Sequence, residues 1–286
     1  MIHRATLLVT CPDRPGIVAT VTGFLYNHGV NILQLDQHVA EADRGADAAV
    51  FFMRVAFESP PVEGLRSALE AAFDKVVAQR FGMRWTLSWA ADVKSVAVLV
   101  SKHDHALMEL LWRWRRDELP CRVAAIISNH DDAKKAASDF GLPFHLVPSH
   151  DKSIAEARLR ELLSGVDLIV LARYMQILSA EFVAEFPNRI INIHHSFLPA
   201  FVGAKPYHQA HSRGVKLIGA TAHYVTAELD QGPIIEQDVI RVSHRHTANE
   251  LVSLGRDIER QVLARAVRWH LEQRVIVHDG KTVVFN

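Results

Sequence analysis

The 286 residues carry 32 Lys and Arg against 32 Asp and Glu, a formal net charge of zero. No global basic field favours nucleic acid and no polybasic face favours a membrane surface. The length suffices for two domains, each with its own core, and small-molecule chemistry is the function class that remains.

Two cysteines, Cys11 and Cys121, stand far apart beside apolar runs and are expected to be buried thiols in a reducing cytoplasm. The first residues carry no apolar segment of the signal-peptide kind. No apolar run approaches the roughly 20 residues of a membrane span.

Residues 1–90 read strand, helix, strand, strand, helix, strand. After a strand over 5–10, Asp13-Arg14-Pro15-Gly16 turns into a helix with Ile17, Val18, Val21, Phe24 and Leu25 on one stripe, and Gly29 ends it. Strands follow over 31–39 and 50–57, separated by a loop at 43–47; the second puts Phe51, Met53, Val55 and Phe57 on one face. Pro60-Pro61 precedes a helix over 62–80 whose stripe is Leu65, Leu69, Ala72, Phe73 and Val76, and 83–89 alternates as a strand. This is a ferredoxin-like βαββαβ plan.

A polar connector, 90–94, leads to a second domain, 91–286. Residues 95–100 are a near-continuous apolar strand of the kind buried on both faces in a parallel sheet, followed by Ser101-Lys102-His103-Asp104-His105. Helix 105–118 carries Leu107, Leu110, Leu111 and Trp114 on one face and Arg113, Arg115 and Arg116 on the rest, a solvated face in preference to an RNA-binding one. Strands at 121–128, 144–147 and 168–171 alternate with helices at 131–140 and 154–163, the alternation of a doubly wound, mainly parallel α/β sheet. A loop over 199–206 leads to a short helix with His208 and His211. Thr247 and Glu250 form a capping box for a long helix to about 272 with the stripe Leu251, Leu254, Ile258, Val262, Ala266 and Trp269. Asp279-Gly280 signals a two-residue hairpin.

The chemistry concentrates between Ile191 and Pro233. A short strand over 189–193 brings Asn192, His194 and Ser196 to the end of a sheet strand, where open α/β sheets bind ligands. A second strand-like run over 216–225 carries His223 and is followed by Glu228 and Asp230 in a loop closed by Gly232-Pro233. Asn, His and Asp together suit attack on a carbonyl carbon without a covalent enzyme intermediate: an amide N–H for the oxyanion and an imidazole and a carboxylate for proton transfer. Taken singly, Asn192 and His194 also suit strand-end residues that satisfy backbone groups, and Asp230 a turn former. No Gly-x-Ser-x-Gly elbow surrounds Ser196, which is therefore not read as a nucleophile.

Asn192-Ile193-His194-His195-Ser196-Phe197-Leu198-Pro199, then Gly219-Ala220-Thr221-Ala222-His223-Tyr224-Val225-Thr226, then Glu228-Leu229-Asp230-Gln231-Gly232-Pro233 resemble the folate-dependent formyltransferases. The resemblance implies a catalytic set of Asn192, His194 and Asp230 with His223. It makes Leu171-Ala172-Arg173-Tyr174-Met175-Gln176-Ile177-Leu178 a folate-binding segment, with Met175 and Leu178 walling the pteridine and backbone near Gln176 pairing with it, while Val225, Thr226 and Glu228 complete the substrate site. In relatives that formylate a phosphorylated amine, the first βα loop is rich in Gly and Ser and cradles the phosphate. Here 101–105 holds no glycine.

Cys11-Pro12-Asp13-Arg14-Pro15-Gly16-Ile17-Val18 and Gly29-Val30-Asn31-Ile32 resemble an ACT domain. That likeness implies an amino-acid effector such as glycine or methionine near Asp13, Gly16 and Asn31 at a subunit interface, in a dimer or tetramer. The two halves together are similar to the formyltetrahydrofolate deformylase family. A hydrolase is implied, acting on 10-formyltetrahydrofolate with no cofactor or metal, in the cytoplasm, supplying formate for purine biosynthesis and balancing the one-carbon pool. A formyltransferase using an amine, a zinc hydrolase using His194, His208, His211, His223 and Asp230, and a non-catalytic amino-acid sensor are the other readings.

Overall fold

The structure, a computed structural model, describes residues 3–41, 49–60, 64–199 and 206–286, and the chain forms two compact units, 1–93 with 283–286, and 94–282. The loop expected at 43–47, the second proline of Pro60-Pro61 and most of the loop expected over 199–206 lie outside the described residues. The connector Ala90 to Val93 separates the units.

In the first unit, β1 (His3–Pro12), α1 (Ile17–Asn27), β2 (Asn31–Ala40), β3 (Val50–Ser59), α2 (Leu65–Phe73), α3 (Gln79–Phe81) and β4 (Arg84–Trp89) give the βαββαβ order, in an antiparallel sheet arranged β2-β3-β1-β4. Alternate residues of one sheet face, among them Leu7, Val9, Phe51, Met53, Val55 and Phe57, pack against Val21, Phe24, Leu25, Phe73 and Val77. Gly16 opens α1 at φ 93°, a left-handed turn that a side chain would strain.

The second helical stripe departs from expectation. Val76 is 58% exposed while Val77, Ala78 and Phe81 are buried. A π turn over Asp74–Ala78 joins α2 to α3, and its extra residue moves the inward face on by one position.

In the second unit, β5 (Lys94–Val100), α4 (His105–Arg115), β6 (Cys121–Ser128), α5 (Lys134–Asp139), β7 (Phe144–Leu146), α6 (Lys152–Leu162), β8 (Leu168–Leu171), α7 (Ala180–Ala184), β9 (Ile190–His194), α8 (Pro206–Ser212), β10 (Leu217–Tyr224), β11 (Ile234–Arg241) and α9 (Ala248–Leu271) build a seven-stranded sheet ordered β11-β10-β9-β8-β5-β6-β7. Strands β5 to β9 run parallel, and β10 is antiparallel to both β9 and β11. Both sheet faces are covered. Val96, Val98, Ile126, Val170 and Ile193 pack under α4 and α9, while Ala97, Leu99, Ile127, Ile169 and Ile190 pack under α6 and α7. Each fully buried Leu, Ile or Val contributes roughly 1.5–3 kcal/mol, so strands apolar on both faces belong in the middle of such a sheet.

The chain winds from β5 outward to β7, then crosses to β8 on the other side of β5. The carboxyl ends of β5 and β8 thus diverge at the switch point, where a crevice opens. Long α9 starts with the expected capping box on Thr247 and Glu250, but its buried stripe includes Gly255 and Glu259, whereas Leu254 and Trp269 are only partly buried. β12 (Val275–His278) and β13 (Lys281–Val284) form a hairpin whose turn residues, Asp279 and Gly280, both have positive φ, the type I′ geometry.

Cys11 is buried, and Cys121, contrary to expectation, only half so. Its carbonyl accepts a bond from the Trp114 indole, and the strand's first residue sits at the margin of the core. Burial still pushes both thiols up to about 11. The arginines of α4 are engaged locally, Arg113 with Glu109 at 2.8 Å and Arg115 over the Phe140 ring at 4.1 Å. Among the described residues no helix is long and apolar enough to cross a membrane.

Candidate active site

Register brings the polar residues of β9 and β10 together. Asn192 lies opposite His223, and His194 opposite Thr221. Directly opposed residues of an antiparallel pair share a face, and residues two apart share it too, so Asn192, His194 and His223 converge although 31 positions separate the outer two. Both imidazoles are deeply buried, His194 at 6% and His223 at 2% exposure.

The loop after β10 returns the carboxylate. Tyr224 N–H bonds the Pro233 carbonyl at 2.9 Å, and a side chain at Gly232 would collide with the Tyr224 carbonyl, so only glycine allows the loop to close this tightly. Asp230 adopts φ 56°, a left-handed conformation that costs a non-glycine residue roughly 1–3 kcal/mol.

Asp230 Oδ2 lies 3.2 Å from His194 Nδ1, and Oδ1 lies 3.7 Å from His223 Nε2. The hydrogen bond from His194, then the neighbouring His223 imidazole, holds the Asp230 carboxyl far below the usual range against the opposing effect of burial. His223 Nδ1 is 2.9 Å from the Tyr224 carbonyl, and Asn192 Nδ2 is 3.3 Å from His223 Nε2. A carbonyl can only accept, so Nδ1 carries the proton and Nε2 accepts from the Asn192 amide in the neutral ring. That leaves the second Asn192 N–H without a partner among the described residues. His194 Nε2 is buried with no partner among the described residues.

These groups line one side of a cleft of about 680 Å³. Met175, Gln176, Leu178, Val225, Thr226 and Glu228 line it as well. Met175 and Ile177 are 59% and 64% exposed, so they are apolar residues held open beside the cleft instead of core residues. Arg173 and Met175 both have positive φ, and the Arg173 carbonyl accepts the Ser101 N–H at 3.2 Å across the switch point.

A buried polar network closes the other end. Glu259, 1% exposed, takes the Tyr207 hydroxyl on Oε1 and His105 Nε2 on Oε2, both at 2.8 Å, with Arg173 Nε 3.5 Å from Oε2. Burial raises the Glu259 carboxyl, but the His105 bond, the Arg173 charge and the Tyr207 bond outweigh it and hold it below the ordinary value. His195 lies between this network and the trio of Asn192, His194 and Asp230, its ring 5.2 Å from that of His194 and 6.2 Å from that of Tyr207. Burial, then Arg173, pushes it down to about 3, so it stays neutral.

The motifs singled out in the sequence did not include Arg173, His195, Tyr207 or Glu259 as functional residues. One signal was available: Glu259 follows Ile258 on the apolar stripe of α9, where an unpaired acid has no place. His208 lines the cleft and His211 does not. Among the described residues no three His, Cys, Asp or Glu side chains form a group able to hold a metal ion.

Asp13, Gly16 and Asn31 do not meet within one chain. Pro12 and Ala40 both pair with Val50, whereas Asn31 pairs with Glu58 at the other end of β3. With the Asp13 N–H on the Ala49 carbonyl, nine rungs at about 3.3 Å each put Asp13 and Asn31 roughly 30 Å apart along the sheet.

A formyl transferase domain model matches residues 94–267 and an ACT domain model residues 5–74. Formyltetrahydrofolate deformylase of Bacillus subtilis is 52% identical over 99% of this chain and 94% of its own, and that of Escherichia coli 42% identical over 99% of each. A crystal structure of a formyltetrahydrofolate deformylase from Pseudomonas syringae superposes with a TM-score of 0.93 at 47% identity, covering 100% of this chain and 95% of that one. Glycinamide ribonucleotide transformylase 1 of Symbiobacterium toebii matches 70% of this chain and 98% of its own, with TM-score 0.65 and 33% identity. With an ACT domain ahead of a formyl transferase domain, and relatives of this kind along its whole length, the chain belongs to the formyltetrahydrofolate deformylase family.

Proposed function

We propose that the chain hydrolyses 10-formyltetrahydrofolate to formate and tetrahydrofolate, with water as the acceptor. The observation that carries this is the Asp230 carboxylate set 3.2 Å from His194 Nδ1, while His194 Nε2 stays unpartnered at the cleft that the folate-like segment 173–178 lines. Family membership names the substrate class, and the residues supply the chemistry.

The pteridine end lies against Met175 and Leu178, with Gln176, Val225, Thr226 and Glu228 around it, and the formyl carbon reaches the trio. Asp230 fixes His194 with its proton on Nδ1, which makes Nε2 a base. Water loses a proton to His194 Nε2 and adds to the formyl carbon, and the second Asn192 N–H stabilises the oxyanion. Collapse breaks the bond from carbon to N10. Nε2 returns the proton to that nitrogen, and the released formic acid yields formate and a proton to solvent. His223 keeps Asn192 in place, and no metal or cofactor has a step.

The first βα loop favours water over a phosphorylated amine. His103 lines the cleft there, Ser101 is bonded to Asn129 at 2.7 Å, and no glycine frees the backbone for an anion cradle. Incubation with 10-formyltetrahydrofolate alone tests this: many turnovers are expected without any amine, and none of the formyl group should reach added glycinamide ribonucleotide. A requirement for the amine would replace the hydrolase with a transferase.

The ACT unit is proposed to bind a small amino acid such as glycine or methionine. Since Asp13 and Asn31 lie at opposite ends of one sheet, an effector touching both needs a second copy, and edge strand β2, with Leu33 and Val39 exposed, is the surface for it. A homo-oligomer working in the cytoplasm, feeding formate to purine biosynthesis and balancing the one-carbon pool, is the setting this chemistry suits.

A further inference from the structure

Arg173 has more donors than the described residues have acceptors for it. It follows β8 directly and is anchored by its own carbonyl, which holds the Ser101 N–H. The carboxylate within ion-pair reach is Glu259, and its oxygens are taken by Tyr207 on one side and His105 on the other. Arg173 Nε lies 3.5 Å from Glu259 Oε2 without hydrogen-bond alignment, and Nη1 has no partner among the described residues; both nitrogens are buried. Buried donors on a charged group are rarely left unsatisfied.

The surroundings point to a small anion as the missing partner. Arg173, His103, His195, His208 and Arg256 all line the same cleft as His194. Besides Arg173 itself, the groups facing this end are the Glu259 carboxylate, a second guanidinium, Arg256, and imidazoles, with the Asp230 carboxylate beyond His195. His195 is neutral, and both carboxylates are already engaged, Glu259 by Tyr207 and His105 and Asp230 by His194. His103 is held below its ordinary value by burial, then by Arg256 and Arg173, with Glu259 opposing, so two guanidinium groups bear on this end. A guanidinium presents parallel N–H groups that match the two oxygens of a carboxylate.

We propose that Arg173 is the receptor for the carboxylate product: formate released at the trio is held by the Arg173 guanidinium in a subsite between His195 and the Glu259 network, with Arg256 at its mouth. This rests on the hydrolase reading, because a formyl group passed to an amine leaves no formate. The subsite makes formate an inhibitor that binds beside the folate site, and Arg173 the residue that sets how tightly.

The test is direct binding of 13C-labelled formate to the full-length protein, followed by NMR with no folate present. One saturable site per chain is expected in the wild type, weakened at least tenfold in Arg173→Lys, which keeps the charge but loses the fork, and in Arg173→Met. Inhibition of turnover by formate should weaken in parallel. In the wild type, one arginine Nε–H signal, absent from the spectrum of Arg173→Lys, should shift with the same saturation curve. Absence of saturable binding, or formate affinity unchanged in both variants, overturns the proposal. Should Arg173→Met not fold, Arg173→Lys and the wild-type arginine signal still decide it. Titration needs no catalysis, so formate bound at Arg173 in a protein that does not deformylate would leave the subsite standing and remove the hydrolase reading alone.

Discussion

His194 and Asp230 face each other across a strand and a loop, with Nδ1 3.2 Å from Oδ2. The contact assigns the two ring nitrogens different tasks. Nδ1 is spent on the carboxylate, and in the proposed mechanism Nε2 serves the substrate. Asp230→Asn keeps the shape but removes the charge that fixes this tautomer, so kcat should fall by at least about 1,000-fold while tetrahydrofolate binding, followed by fluorescence, changes little. Turnover within tenfold of wild type would take Asp230 out of the mechanism.

Asn192 gives one amide N–H to His223, and in the proposed mechanism the other holds the oxyanion. Asn192→Ala should lower kcat by about 100- to 1,000-fold, the cost of losing one oxyanion donor, with KM nearly unchanged. Steady-state kinetics separates the two parameters, and an equal effect on KM would mark Asn192 as a binding or structural residue.

The stability that the Asp230 carboxylate supplies should be lost in acid. The folded-state value of Asp230 is depressed below its ordinary 3.8, so its contribution to stability is present above that pH and is lost as pH falls through the depressed value. The stability difference between wild type and Asp230→Asn, from urea unfolding, should be largest near neutrality and shrink below about pH 4. A difference independent of pH from 7 to 3 would show that Asp230 is not held ionised.

Glu259 ties His105, Tyr207 and Arg173 together in the interior. Removing one side of a buried charged pair leaves the other uncompensated, so Glu259→Ala should destabilise the fold by about 3–5 kcal/mol. Gly255, one turn earlier on α9, has no room for a side chain against the Tyr207 ring, and Gly255→Ala should disturb the same network. Urea unfolding measures both. A loss below about 1 kcal/mol for Glu259→Ala would mean that water replaces the carboxylate.

Much of this was legible in the residues because apolar periodicity is a local signal. The stripe of α1 and the doubly apolar β5 follow from residue spacing alone. Val76 was misassigned because a π turn changes the period without leaving a mark in composition. The antiparallel β11 and the five-residue α7 were missed, the first because Glu236 and Asp238, which pair with Arg265, break its apolar run. Asn192, His194, His223 and Asp230 could be named from sequence, but not their division of labour, which depends on the register of β9 against β10. The Arg173 and Glu259 network was harder still. Its members come from four separate segments, and only the topology joins them.

The central claim is that water held at the trio attacks the formyl carbon. The most direct measurement is turnover of 10-formyltetrahydrofolate in 18O-labelled water with no amine present, with the formate analysed by mass spectrometry. The account predicts one 18O atom in each formate released by the wild-type enzyme and almost no formate from Asp230→Asn over the same time. Formate without the label, or no formate until an amine is added, would contradict it.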